Sequence, residues 1–146
     1  MHVQAILSRK GGAAVATVEA GATVARAVEL LREHGVGALV VSDDGCIIEG
    51  IVSERDVVRR LAADGAAVLE STVALVMTRT VTTCKAEDDL EHLGRLMTDQ
   101  RIRHVPVVDD RGSMIGIISI GDVVKQRLGH LENENQALFD YFTNSR

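Results

Sequence analysis

The sequence predicts an α/β fold made of two β-α-β-β-α repeats packed around pseudo-two-fold symmetry, followed by an extended C-terminal helix. Three observations carry that prediction. Gly50-Ile51-Val52-Ser53-Glu54-Arg55-Asp56-Val57-Val58 returns as Gly116-Ile117-Ile118-Ser119-Ile120-Gly121-Asp122-Val123-Val124, 66 positions later (Ser53 to Ser119). The same offset relates Asp43-Asp44 to Asp109-Asp110, Leu30 to Leu96 and Thr17 to Thr83 without a gap. Within each copy, short aliphatic runs alternate with segments whose apolar residues recur at helical spacing. The repeats are expected over residues 5–65 and 72–128, with a helical extension over 129–146.

The first copy opens on an extended piece, Val15-Ala16-Thr17-Val18. Thr23 is placed to cap a helix that carries Val24, Ala27, Val28 and Leu31 on one face, and Gly35 stops it. Ala38-Leu39-Val40-Val41 reads as a strand buried on both faces, Asp43-Asp44-Gly45 as a turn, and Ile47 to Ser53 as the returning strand. A helix then begins near Glu54, with Val57, Val58 and Leu61 as its apolar residues. The second copy repeats this order. Val81-Thr82-Thr83 leads in, and Asp88 or Asp89 caps a helix with Leu90, Leu93, Leu96 and Met97. Val105 to Val108 and Met114 to Ser119 are its strands. Pro106, the single proline, cannot donate to a sheet ladder and implies an edge or strand-start position. Residues 63–80 join the copies, with a helical turn expected around Val73–Met77.

The last helix outruns the repeat. Val124, Leu128, Leu131, Asn135, Leu138 and Phe142 alternate in steps of four and three, a coiled-coil seam with one polar inward position. Such a seam calls for a partner surface, and a homodimer aided by this helix is expected; the other reading is a helix lying on its own domain.

Composition narrows the function. With 146 residues, each half alone is marginal, so the halves should share a buried interface. Aromatic residues make up 2% of the chain and all lie at its C-terminal end (Phe139, Tyr141, Phe142), so the body has nothing on which to stack bases. A net charge of −5 argues against a nucleic-acid duplex as partner. No segment approaches a membrane span, Met1 to Ala14 lacks the apolar run of a signal sequence, and a cytoplasmic location is expected. Cys46 and Cys84 occupy non-equivalent places in the repeat and are expected to be free, buried or partly buried thiols. His2, His34, His92, His104 and His130 show no paired metal spacing, and no phosphate loop or dinucleotide fingerprint occurs in the required context.

The repeated Gly-x-x-Ser-x-x-Asp is the chemical signature. A carboxylate in the first turn of a helix can accept bonds from two vicinal hydroxyls, the manner in which acidic residues hold a ribose. Asp56 and Asp122 have that placement, with Ser53 and Ser119 three residues earlier able to serve ribose or phosphate. The same pattern also describes an ordinary N-cap with an acidic first turn. The doubled unit, the Asp-Asp turns, the Gly-x-x-Ser strand ends and the run His104-Val105-Pro106-Val107-Val108-Asp109-Asp110 together resemble the cystathionine-β-synthase (CBS) domain pair, a stand-alone Bateman module, over about residues 5–128.

That resemblance implies a non-enzymatic regulatory module that binds AMP, ATP or NAD(H) in clefts between its two CBS domains and usually dimerises. It also implies that Arg103 and His104 contact phosphate, which suits an arginine fork beside an imidazole. Arg55, where the second copy has Gly121, is a further phosphate candidate or a partner of a neighbouring acid. Val15, Thr80, Val81 and Pro106 are the expected wall of the adenine site. Lys10, in Arg9-Lys10-Gly11-Gly12, reads as part of a flexible loop before it reads as a phosphate ligand. Because Arg103-His104 belongs to one copy and Arg55 to the other, two clefts with different preferences are expected. An interaction scaffold with degenerate clefts is the alternative function.

Overall fold

The structure, a computed structural model, describes residues 1–12 and 14–144. Its elements in chain order are α1 (Val3–Arg9), β1 (Thr17–Val18), α2 (Val24–His34), β2 (Ala38–Val41), β3 (Gly50–Ser53), α3 (Glu54–Asp64), a 3₁₀ turn (Gly65–Glu70), α4 (Val73–Val76), α5 (Leu90–Gln100), β4 (His104–Val108), β5 (Met114–Ser119) and α6 (Ile120–Asn144). The mixed α/β architecture with two repeats and a long C-terminal helix is the one expected.

Local chemistry sets most boundaries. The Thr23 side chain accepts the Arg26 amide at the start of α2, and Gly35 closes that helix at φ 61°, in the left-handed region where a Cβ is unwelcome. Asp89 takes the equivalent cap on α5, accepting the His92 amide, while Asp88 accepts the Lys85 amide one turn earlier. β2 is buried along its whole length between β1, parallel, and β3, antiparallel. Strand β3 is shorter than Ile47 to Ser53, because the Asp44 carboxylate accepts the amides of Cys46 and Ile47 and holds them in the turn.

The second copy departs from the first at its leading segment. In the first copy Val40 donates its amide to Ala16 and Ser42 donates to Val18, which makes β1 a strand. In the second, Val108 donates to Cys84, but Pro106 stands in the place of Val40 and has no N–H to give Thr82. Val81-Thr82-Thr83 therefore forms no strand, and a single parallel bridge from Cys84 to Val107 remains. Pro106 is not at a strand start: it is the third residue of β4, fully buried, and its carbonyl accepts from Cys84 on the side away from β5. The missing donor thus falls on the outer edge of the two-stranded sheet.

Two aliphatic cores result. One gathers Val18, Val24, Leu31, Leu39, Val52 and Val57, the other Cys84, Leu90, Leu93, Met97, Val105 and Ile118. Val28, Val58 and Leu61, expected on inward faces, are instead exposed. Cys84 is buried, whereas Cys46 is exposed rather than buried.

The helix α1 has no counterpart in the sequence reading, and its place is informative. Val3 and Ile6 lie in the second core, while Val73 and Val76 of α4 lie in the first. Each repeat is therefore completed by the helix that precedes the other repeat. The hydrogen bonds repeat as well: Val3 donates to Asp88 and Gln4 to Ala86, as Val73 donates to Ala22 and Ala74 to Ala20. The offset between these helices is 70 (Val3 to Val73) rather than 66, so the first copy holds four more residues between its leading helix and its first strand. Those extra residues fall around Arg9-Lys10-Gly11-Gly12.

Candidate functional site: a cleft between the repeats

The two Ser-x-x-Asp signatures have the same geometry. At the start of α3 the Asp56 amide donates to Ser53 Oγ at 3.2 Å, while the Ser53 amide and hydroxyl both donate to Asp56 Oδ2 at 2.9 Å. At the start of α6 the Asp122 amide donates to Ser119 Oγ at 3.2 Å and the Ser119 amide to Asp122 Oδ2 at 2.9 Å. Each is a reciprocal capping box, so the structural role of the pair is real. At Asp56 these bonds engage Oδ2.

What surrounds the two boxes differs. Ser53 and Asp56 open onto a cavity of about 500 Å³ between the repeats. Seven of the residues singled out in the sequence line it: Ser53, Arg55 and Asp56 from the first repeat, and Thr80, Val81, Arg103 and His104 from the second. Arg55 and Arg103, expected to distinguish two clefts, face the same one. The reason is geometric: this cleft joins the strand end of the first repeat to the leading segment of the second, so cations from different copies converge. Arg59 and Arg101 also line this cavity and were not anticipated. Arg59 lies one helical turn beyond Arg55, and Arg101 replaces Gly35 of the first repeat, which were the available signals.

The remaining candidates lie elsewhere. Pro106 is buried in β4. Ser119, Gly121 and Asp122 belong to the second box and the first turn of α6, and neither they nor Val15 line this cavity. There Lys10 is no loose loop residue. Its ammonium sits 2.6 Å from Asp122 Oδ2 and donates to the Ile117 carbonyl at 2.9 Å, and Arg9 bonds Gln126 alongside. In the first repeat the carbonyl matching Ile117, that of Ile51, accepts the Thr78 amide at 2.8 Å. A lysine side chain from the four-residue insertion has thus taken over a backbone contact and laid a cation on the second carboxylate.

Burial alone would raise the Asp122 pKa, but the Lys10 ammonium and the Ser119 amide and hydroxyl outweigh it and hold the carboxyl below its usual value. His104 stands between the two boxes. Burial is the main cause that lowers its pKa, with Lys10 and Arg103 adding to it against the opposing pull of Asp122 and Glu54. A Cβ on Gly37 would meet Glu54 Oε1 at 3.2 Å and His104 Cε1 at 3.5 Å, so the glycine opposite His104 leaves room for these side chains. Burial, with Asp88 adding to it, pushes the Cys84 thiol up to about 12, which leaves it without nucleophilic character at neutral pH. Among the described residues, no three His, Cys, Asp or Glu side chains are grouped to hold a metal, and no helix is long and apolar enough to cross a membrane.

Comparison with known proteins agrees with this architecture. The CBS-domain family model matches residues 6–63 and 73–129. The chain is 40% identical over 123 residues to the CBS domain-containing protein CBSX3, mitochondrial, of Arabidopsis thaliana; that match covers 82% of this chain but 59% of the relative. Among solved structures, the CBS-domain containing protein ATU1752 from Agrobacterium tumefaciens superposes with a TM-score of 0.82 at 42% identity, covering 87% of this chain and 99% of that one. The CBS domain pair of protein MJ0100, solved in complex with 5′-methylthioadenosine and S-adenosyl-L-methionine, superposes at 0.77 with 26% identity, covering 89% of this chain and 98% of that one. With the doubled repeat, the paired capping boxes and a family match over both halves, this chain belongs to the CBS-domain family.

Proposed function

We propose that the protein is a non-enzymatic regulatory module that senses an adenosine nucleotide, AMP, ATP or NAD(H), in the cleft between its repeats. The observation that carries this reading is the convergence, in one cavity, of the Ser53–Asp56 box with Arg55 and Arg103 from opposite repeats. Asp56 Oδ1 is the group to accept the two ribose hydroxyls, Thr80 and Val81 supply wall and backbone beside the base, and the guanidiniums meet phosphate. Both ligands bound by the MJ0100 pair carry adenosine, which supports the choice of nucleoside. Ligand that bridges the repeats favours whichever packing brings its two walls together, and that differential affinity is the signal. Titration calorimetry on ligand-stripped protein with AMP, ATP, NADH and S-adenosylmethionine tests it. We expect binding of at least one, and Asp56→Asn, which keeps an oxygen for the Ser53 amide, should weaken it about tenfold or more. Absence of binding by all four would end this reading.

A second reading, assembly, is favoured by α6. Leu128, Leu131, Leu138 and Phe142 on its seam are all at least 40% exposed. A second copy pairing along this helix would cover them and make a homodimer. Sedimentation of the full chain against Leu131→Asp/Leu138→Asp checks it: a dimer that becomes a monomer supports the pairing, and a mass unchanged by the substitutions removes it.

A further inference from the structure

The cleft is more cationic than a single phosphate needs. Arg55 and Arg59 project into it from α3, and Arg101 and Arg103 from the end of α5 and the approach to β4. The arginine ion pairs among the described residues belong to Arg26, Arg60 and Arg95, so these four guanidiniums carry none. The carboxylates on the same walls are Glu54 and Asp56, and Asp56 is already bonded to Ser53. Four arginines against two acids, in a chain with a net charge of −5, is a local excess that like-charge repulsion disfavours unless an anion offsets it.

At three of the four pseudo-symmetric positions the charge is absent, so the fold does not require it there. At the same offset, Arg55 corresponds to Gly121, Arg101 to Gly35 and Arg103 to Gly37, while Arg59 corresponds to Lys125. Arg101 carries a second signature. It sits at the C-cap of α5 with φ 56°, the only non-glycine residue at positive φ among those described. A side chain held in the left-handed region where the other repeat uses glycine is strain retained at a site.

Resting on the nucleoside reading above, we propose that this cleft selects ligands in which the nucleoside bears two or more consecutive phosphates, gripped by Arg55 and Arg59 on one wall and Arg101 and Arg103 on the other. One terminal phosphate offers too few oxygens to engage four planar, multidentate forks arriving from two walls. A di- or triphosphate, or the pyrophosphate of a dinucleotide, spreads acceptors along a chain that both walls can reach. The thioether and sulfonium ligands of the MJ0100 pair carry no phosphate, so this selectivity separates the present chain from that neighbour.

Calorimetry at constant ionic strength with adenosine, AMP, ADP, ATP and inorganic tripolyphosphate tests the proposal. The affinity should rise about tenfold or more from AMP to ADP and ATP. The variant Arg59→Gln/Arg101→Gly should lose most of that gain while holding AMP within about threefold of the parent, because Arg55 and Arg103 remain for the first phosphate. Arg101→Gly restores the residue type natural to that φ, so folding is not in question for it. AMP binding as tightly as ATP, or a variant that loses AMP and ATP alike, overturns the polyphosphate selectivity and leaves the nucleoside reading standing. Tripolyphosphate bound in an arginine-dependent way, with no gain from adenosine, does the reverse. No binding by any of the five overturns both.

Discussion

At the scale of single residues, the difference between the two capping boxes turns on Lys10. Its ammonium, 2.6 Å from Asp122 Oδ2, pairs with the carboxylate of the second box, which also accepts the Ser119 amide. The pair is partly buried, with side chains 34% and 22% exposed, so screening weakens it less than a surface ion pair. Lys10→Ala should therefore expose the second carboxylate and raise the number of nucleotides bound per chain from one to two, read directly as calorimetric stoichiometry. A stoichiometry that stays at one would show that Lys10 is not what keeps the second cleft closed. His104 lies between the two boxes, and the sign of its contribution follows from its lowered pKa. The unfolded chain takes up the proton first, so His104 leaves stability intact above its ordinary value of 6.5 and subtracts from it as pH falls toward the folded pKa. A phosphate in the cleft would pull that pKa back up, which links anion binding to proton uptake.

At the scale of elements, the leading helices decide where the cavities lie. Glycine at the start of β3 and inside β5 lets each helix approach. A Cβ on Gly116 would stand 2.5 Å from Leu7 Cδ2, and one on Gly50 would stand 2.6 Å from Met77 Sδ and 2.9 Å from the Thr78 carbonyl. The two sites differ in what yields. At Gly116 the neighbour is the end of a leucine side chain, which can rotate; at Gly50 it includes backbone. Gly50→Ala should consequently cost about 1–3 kcal/mol in urea unfolding and Gly116→Ala distinctly less. Equal costs at the two glycines would show that the close backbone approach is not what Gly50 serves. Pro106 acts at this scale as well. By withholding one ladder bond it leaves the Thr82 carbonyl unclaimed by β4, and Thr82 lines the candidate cleft.

For the whole molecule, the reciprocal exchange of α1 and α4 ties the repeats into one unit. Val3 and Ile6 are 0% and 5% exposed in the core of the second repeat, and Val73 and Val76 are 0% and 7% exposed in the core of the first. Burying each such side chain contributes about 1.5–3 kcal/mol, so neither repeat keeps its core if the other is removed. The cleft lies where the segment after α4 returns to its own repeat, with Thr78, Thr80 and Val81 on its wall. The helix α6 joins this arrangement to the exterior. Its capping box holds the second signature, and its far end stands clear of the body, with residues 131–143 exposed. Its exposed face carries Leu128, Leu131, Leu138 and Phe142.

Local chemistry by itself determined the repeat, most strand and helix types, the cap at Thr23, a cap at Asp88 or Asp89, and the Ser-x-x-Asp pattern of the two boxes. These depend on neighbours within a few residues, so they are written in the order of the chain. The helix α1 escaped that reading because seven residues with two buried side chains, Val3 and Ile6, leave too short a periodic signal. Only the tertiary structure decided which residues share a cleft. Arg55 and Arg103 belong to different copies yet face one cavity, and Lys10 closes on Asp122 across more than a hundred positions. The physical reason is the pseudo-two-fold packing. A repeat relates residues that are equivalent, whereas a cleft on the pseudo-symmetry interface is assembled from residues that are not.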